Sequence, residues 1–327
     1  VAVGSTPLES RSTHGPWAGR LAVGAALATW VLLLVGCLVH GTGSSLACPD
    51  WPLCFGSAFP KMENGVQYEH THRLVATAVG LLTIALAVAL HGRRAEDPKA
   101  AVMGYVAVGL VCFQGLLGGI TVLLRLPILV TLMHLGTSMA FFCLTTVIAL
   151  RVKSNSLIPG PSPGGRGAGG DGVNLAALRP WVALAVVATF TQIILGGAVR
   201  HTSSGLACFG IPMCNGDLWP DHPGAHLHML HRILAVALGT YVLALASVAG
   251  SAKGAVGRLA RLAAVLVVVQ ITLGVLSVLS LLALSAVTLH LGVAALLLAC
   301  NVAIFYYLPA RVPEGSGSAA FTVPLPR

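Results

Sequence analysis

The stretch Tyr68-Glu69-His70-Thr71-His72-Arg73 runs directly into Leu74–Leu90, an apolar run without a charged residue. A segment of this length and composition reads as a membrane helix. Charged and imidazole groups at the mouth of such a helix are costly beside hydrocarbon and mark a functional site by default. The same head recurs in the other half of the chain, where His228-Met229-Leu230-His231-Arg232 opens another apolar run. The fold has to accommodate a His-Arg pair that appears twice.

Composition agrees with a membrane setting. Of 327 residues, 56% are hydrophobic and 9% are charged, against about 25% charged in soluble domains. Apolar periodicity and run length predict an all-α membrane protein with eight transmembrane helices, at roughly 18–40, 69–91, 100–122, 128–151, 178–201, 226–249, 257–280 and 283–307. The connector Ser154–Val173 is rich in Gly, Pro and Ser, the composition of a flexible linker. Two pseudo-symmetric four-helix bundles follow: an N-terminal half over 18–151, a linker over 152–177, a C-terminal half over 178–307 and a tail over 308–327. The net charge of +9 is no footprint of nucleic-acid binding, because the basic residues lie in loops. Placing both termini in the cytoplasm leaves only Lys61, Arg73, Arg125, Arg200 and Arg232 of the 19 Lys and Arg residues on or near the opposite side. That bias predicts a multi-pass protein of the bacterial inner (plasma) membrane with both termini inside.

The halves repeat. Gly43-Ser44-Ser45-Leu46-Ala47-Cys48 aligns with Ser203-Ser204-Gly205-Leu206-Ala207-Cys208, and Pro52-Leu53-Cys54 with Pro212-Met213-Cys214. His72-Arg73 aligns with His231-Arg232, Gln114 with Gln270, and His134-Leu135-Gly136 with His290-Leu291-Gly292. With four helices per half the repeat is parallel, related by an axis along the membrane normal. Both cysteine loops then face the outside, an oxidising compartment, and disulfides Cys48–Cys54 and Cys208–Cys214 are expected. Each serves either as a loop staple or as a labile redox pair; metal binding by these cysteines would need further ligands close by. Cys37, Cys112, Cys143 and Cys300 lie in apolar runs and read as inert core thiols.

Topology also brings histidines to one level. His72, His134, His231 and His290 all fall near the outer start of even-numbered spans. A single buried histidine ordinarily bonds a carbonyl, but matched pairs facing across a four-helix bundle suit axial ligation of heme iron, one heme per half. Zinc fits poorly, since Glu69-His70-Thr71-His72 is not the His-Glu-x-x-His pattern. Arg73 and Arg232 follow the ligand candidates and have the shape to bind heme propionates, or they snorkel to the interface. Glu69 lies one turn before His72 on the same helix face, and His228 takes its place in the second half. The first half therefore reads as reactive and the second as structural or electron-carrying. His40, His70, His201, His222 and His226 read as interface residues.

The stretch Thr42–Cys54, with its Cys-Pro-Asp-Trp-Pro-Leu-Cys loop, followed by Glu69-His70-Thr71-His72-Arg73, resembles the heme A synthase family. The resemblance covers nearly the whole chain; Ser45 departs from it, where many members have Gly. It implies oxidation of the C8 methyl group of heme O to a formyl group by successive hydroxylations. It implies a substrate heme O at His72 and His134, a heme b at His231 and His290, and Glu69 as the catalytic carboxylate. It also implies a heme O synthase as substrate donor, a role in terminal oxidase assembly, an electron acceptor that the sequence does not name, and substrate arriving from the lipid. The rival readings are a diheme b-type cytochrome linked to quinone, which has no need for Glu69, and a heme carrier or assembly protein, which binds heme without oxidising C8.

Overall fold

The computed structural model describes residues 16–157 and 174–309. It is helical, with α1 (Pro16–Gly41), α2 (Val66–His91), α3 (Pro98–Leu123), α4 (Ile128–Leu157), α5 (Arg179–His201), α6 (Pro223–Ala249), α7 (Gly254–Leu279) and α8 (Leu284–Tyr307). Among the described residues, these are eight helices long and apolar enough to cross a membrane. The chain is a multi-pass membrane protein in which helices satisfy their own backbone groups, the condition hydrocarbon imposes.

Helix ends follow local chemistry. Pro98 sits in the first turn of α3, where its missing N–H costs nothing, and Asp97 caps that turn by accepting from Ala100 N at 3.0 Å. His222 and Pro223 do the same for α6, with His222 Nδ1 accepting from Gly224 N at 3.1 Å. The turns α3–α4 and α7–α8 are copies of each other. Arg125 and Leu126 in one, Leu281 and Leu282 in the other, adopt φ between 54° and 64°, a conformation that costs an L residue about 1–2 kcal/mol. Both turns close with equivalent bonds, Leu126 N to Thr121 O at 2.7 Å and Leu282 N to Ser277 O at 2.8 Å.

The expected spans and the observed helices agree to within a few residues, except that α4 continues past 151 to Leu157. Arg151 grips Asp97 there, with Nη2 at 2.7 Å from Oδ1, so the end of α4 is tied to the start of α3. Most of the expected linker, 158–173, and of the expected tail, 310–327, lies outside the described residues.

Each half has its own apolar core. Ala22, Val79, Leu86, Ala107 and Ile148 centre the first, and Val182, Val242, Ala260, Val267 and Leu297 the second. A third cluster, with Leu33, Met139, Phe142, Ile193, Ala295 and Leu298, fills the seam between them. The seam is built twice. α1 packs on α8, where Trp30 Nε1 donates to Gly292 O at 3.0 Å and a methyl group on Gly292 would lie 2.6 Å from Leu34 Cδ2. α5 packs on α4, where a methyl group on Gly136 would meet Ile194 at 3.3 Å and Phe190 at 3.7 Å. Trp30 and Leu34 occupy the repeat positions of Phe190 and Ile194, and Gly136 that of Gly292. α8 is the interior helix: 61% of its apolar window is buried, against 22–28% for the others.

Candidate functional site

His72 and His134 approach closely enough for their imidazoles to interact electrostatically, and so do His231 and His290. All four rings are half-buried in the bare chain, which leaves room beside them.

A glycine on the preceding helix makes that room. A methyl group on Gly36 would lie 3.3 Å from His72 Nε2; on Gly118, 3.3 Å from His134 Cε1; on Gly196, 3.0 Å from His231 Cε1; on Gly274, 3.1 Å from His290 Cε1. Each imidazole thus lies flush against a helix backbone that a Cβ would push away. One turn before three of these glycines stands a glutamine. Gln192 Nε2 lies 3.0 Å from His231 Nδ1 and donates to His231 O at 2.8 Å. Gln270 Nε2 lies 3.3 Å from His290 Nε2. Gln114 Nε2 donates to His134 O at 2.8 Å and is itself held by Thr137 and Ser138. The Nδ1 atoms of His134 and His290 and the Oε1 atom of Gln270 are buried with no hydrogen-bond partner. Paired imidazoles, a glycine wall behind each and unsatisfied ring nitrogens fit a heme as the group to be held.

Disulfide-closed loops cap both sites. Cys48–Cys54 and Cys208–Cys214 are bonded, and each loop folds back through a bridge, Cys54 to Ser57 and Cys214 to Asp217. Arg73 donates to Asp50 O at 2.8 Å, Leu53 O at 2.6 Å and Cys48 O at 3.3 Å. Arg232 donates likewise to Cys208 O at 2.7 Å and to Gly210 O. Neither arginine is left to snorkel; both grip the caps that cover the histidines. Glu69 is 3% exposed. It pairs with Arg73 at 2.6 Å and accepts from Cys48 N at 2.8 Å, so a carboxylate ties the first cap to the helix that bears His72. His228, at the same repeat position, is 5% exposed. In the first cap, Gly56 N and Phe55 N donate to Asp50 at 2.8 Å and 2.6 Å. The Gly56 bond leads in holding the Asp50 carboxyl below its ordinary value, aided by the Phe55 bond.

His70 departs from the expectation of an interface residue. It lies buried, with both ring nitrogens unpartnered, where one ligand atom comes within 4.8 Å of the Cys48 and Cys54 sulfurs. Met229 takes its place beneath Cys208–Cys214. His40 and His201 do meet at an interface, between α1 and α5 with centroids 4.4 Å apart, and His226 stacks on Trp219 at 4.8 Å. The glycine walls, Gln192 and the contact of Trp51 with α3 are absent from the sequence reading. A methyl group on Gly119 would lie 2.7 Å from Trp51 Cδ2, so the first cap rests its indole directly on α3. The second half has Ile211 and Val275 at these positions, a smaller residue over a larger one. The signal available in the sequence was the recurring Gln-x-x-x-Gly of α3, α5 and α7.

A family of cytochrome oxidase assembly proteins, COX15-CtaA, matches residues 66–302. The heme A synthase of Shouchella clausii is 31% identical over 231 residues, covering 69% of this chain and 74% of that protein. The heme A synthase of Alkalihalophilus pseudofirmus is 30% identical over 224 residues, covering 66% and 70%. That of Symbiobacterium thermophilum is 30% identical over 220 residues, covering 64% and 70%.

Proposed function

Because the chain belongs to the COX15-CtaA family of cytochrome oxidase assembly proteins, we propose that it is an oxidoreductase that makes heme A, converting the C8 methyl group of heme O to a formyl group. One observation carries the assignment of roles: two equivalent histidine pairs stand under two equivalent caps, but only the first has a carboxylate, Glu69, at the head of its helix, where the second has His228. His72 and His134 would ligate the substrate heme O, and His231 and His290 a heme b. A bound heme b supplies reversible one-electron chemistry through its iron.

An iron ligated on both sides would offer no open position to oxygen, so the oxidation would fall on the macrocycle edge with water as the oxygen source. Each hydroxylation would then release two protons and two electrons, the electrons leaving one at a time through the second-half heme to an external electron acceptor. Glu69 is the group beside the first site able to hold such a proton, and it is fixed by Cys48 N–H and Arg73. Arg73 and Arg232 would reach a heme propionate by exchanging one of their bonds to a loop carbonyl. Access from the lipid has support in a cavity of about 260 Å³ lined by Val35, Leu38, Gln67, Tyr68 and Thr71, between the helices that carry Gly36 and His72. A very apolar prenylated heme would approach by that route, with a heme O synthase as donor on the same membrane. The caps would face the cell exterior, as the distribution of Lys and Arg indicates.

Glu69→Gln tests the assignment. The amide retains the shape of the side chain and removes its charge. Expected is purified protein that still binds both hemes but holds heme O and no C8 alcohol or formyl product by mass. Undiminished conversion would show that Glu69 takes no part in the reaction and would overturn its role. Formyl oxygen that carries label from O₂ rather than from water would overturn the route through the macrocycle edge.

A further inference from the structure

Resting on that reading of the two sites, we propose that Leu32 makes His72 the ligand that lets go, and that Gln114, Gln192 and Gln270 are positioning residues that lock the other three. A cofactor heme stays where it is bound. A substrate heme must leave after every turnover, so both of its iron ligands have to release, and the less restrained one goes first. Three of the four histidines are restrained by a glutamine one turn before the glycine that backs them, through the ring at His231 and His290 and through the main-chain carbonyl at His134 and His231. In α1 that turn carries Leu32 before Gly36. Leu32 and Gln192 share one repeat position, as Gly36 and Gly196 do, so the leucine stands where a fourth amide would reach His72.

Among the described residues no side chain hydrogen-bonds the His72 ring, and Leu32 instead packs into the apolar core of the first half. A histidine on a metal normally donates its free ring N–H to an outer partner, and losing an outer-shell partner weakens metal binding about 10- to 100-fold. The first half thus has one histidine held by a glutamine through its main chain, His134, and one without such a bond, His72, while in the second half the glutamines reach the rings of both.

The test uses the full-length protein purified with its hemes and mixed with excess apomyoglobin as heme acceptor. Loss of each heme is followed by absorbance and identified by mass, so no turnover is needed. Leu32→Gln should slow loss of the first-half heme about tenfold and leave the second unchanged; loss at the wild-type rate overturns the proposal. Gln192→Leu is the mirror experiment and should speed loss of the second-half heme about tenfold; an unchanged rate overturns the proposal equally, and it decides alone if Leu32→Gln does not accumulate. His72→Ala separates the two levels of the argument. If that variant loses the first-half heme while Leu32→Gln behaves as wild type, the site stands and the role of Leu32 falls. If it retains both hemes in full, the site assignment itself fails and the role of Leu32 falls with it.

Discussion

At the scale of single residues, the two caps differ in how they respond to acid. Asp50 accepts the Gly56 and Phe55 amides as a carboxylate, whereas the second cap uses the neutral Asn215, whose Oδ1 accepts from Phe209 N and Gly210 N at 3.3 Å. The Asp50 carboxyl sits below its ordinary value, chiefly through the Gly56 amide. Its contribution is therefore complete above the unfolded value of about 3.9 and is lost as pH falls through the lower folded value. Fluorescence of Trp51, isolated by subtracting a Trp51→Phe variant, should change in one step below the ordinary aspartate range. Asp50→Asn should abolish that step and leave the second cap unaffected. Residue roles were partly legible in the sequence. The four ligand candidates stood out because the repeat offsets align them. The grip of Arg73 and Arg232 on loop carbonyls did not, since it depends on how each loop folds back, and neither loop shows hydrophobic periodicity.

At the scale of elements, each cap is matched to the helix beneath it. Trp51 lies over Gly119, and the repeat puts Ile211 and Val275 at the corresponding positions, so volume is exchanged between a loop residue and a helix residue. Gly119→Val alone overpacks that contact and should cost about 1–3 kcal/mol. Adding Trp51→Ile should recover most of the loss, read as a coupling between the two changes in thermal unfolding of the four proteins in detergent. Additive costs would mean that the indole and α3 do not share a contact. The helices themselves were legible, because uninterrupted apolar runs of bilayer length have few other interpretations. The glycine walls were not. The chain contains 38 glycines, and glycine is common in membrane helices generally, so Gly36 or Gly274 could be picked out only once the histidine across from it was placed.

At the scale of the whole molecule, the halves meet through α1 on α8, α5 on α4 and, between these, α4 on α8, and the two outer seams differ at one equivalent glycine. A methyl group meets Leu34 at 2.6 Å from Gly292 but Ile194 at 3.3 Å from Gly136. Gly292→Val should therefore lower stability by about 1–3 kcal/mol, and Gly136→Val by less, in the same thermal measurement; equal losses would contradict the difference in packing. Two halves were foreseeable from the duplicated motifs, but which helices join them was not, since every helix has an apolar exterior and nothing in the pattern separates a lipid-facing side from a partner-facing one. The doubled seam has a consequence of its own. Residues of one half touch in the other the counterparts of the residues that touch them, which is the isologous contact of a homodimer drawn within a single polypeptide. Two separate subunits with such a surface would assort into like and unlike pairs. Fusing them guarantees that every molecule unites one half bearing Glu69 and Leu32 with one bearing His228 and Gln192.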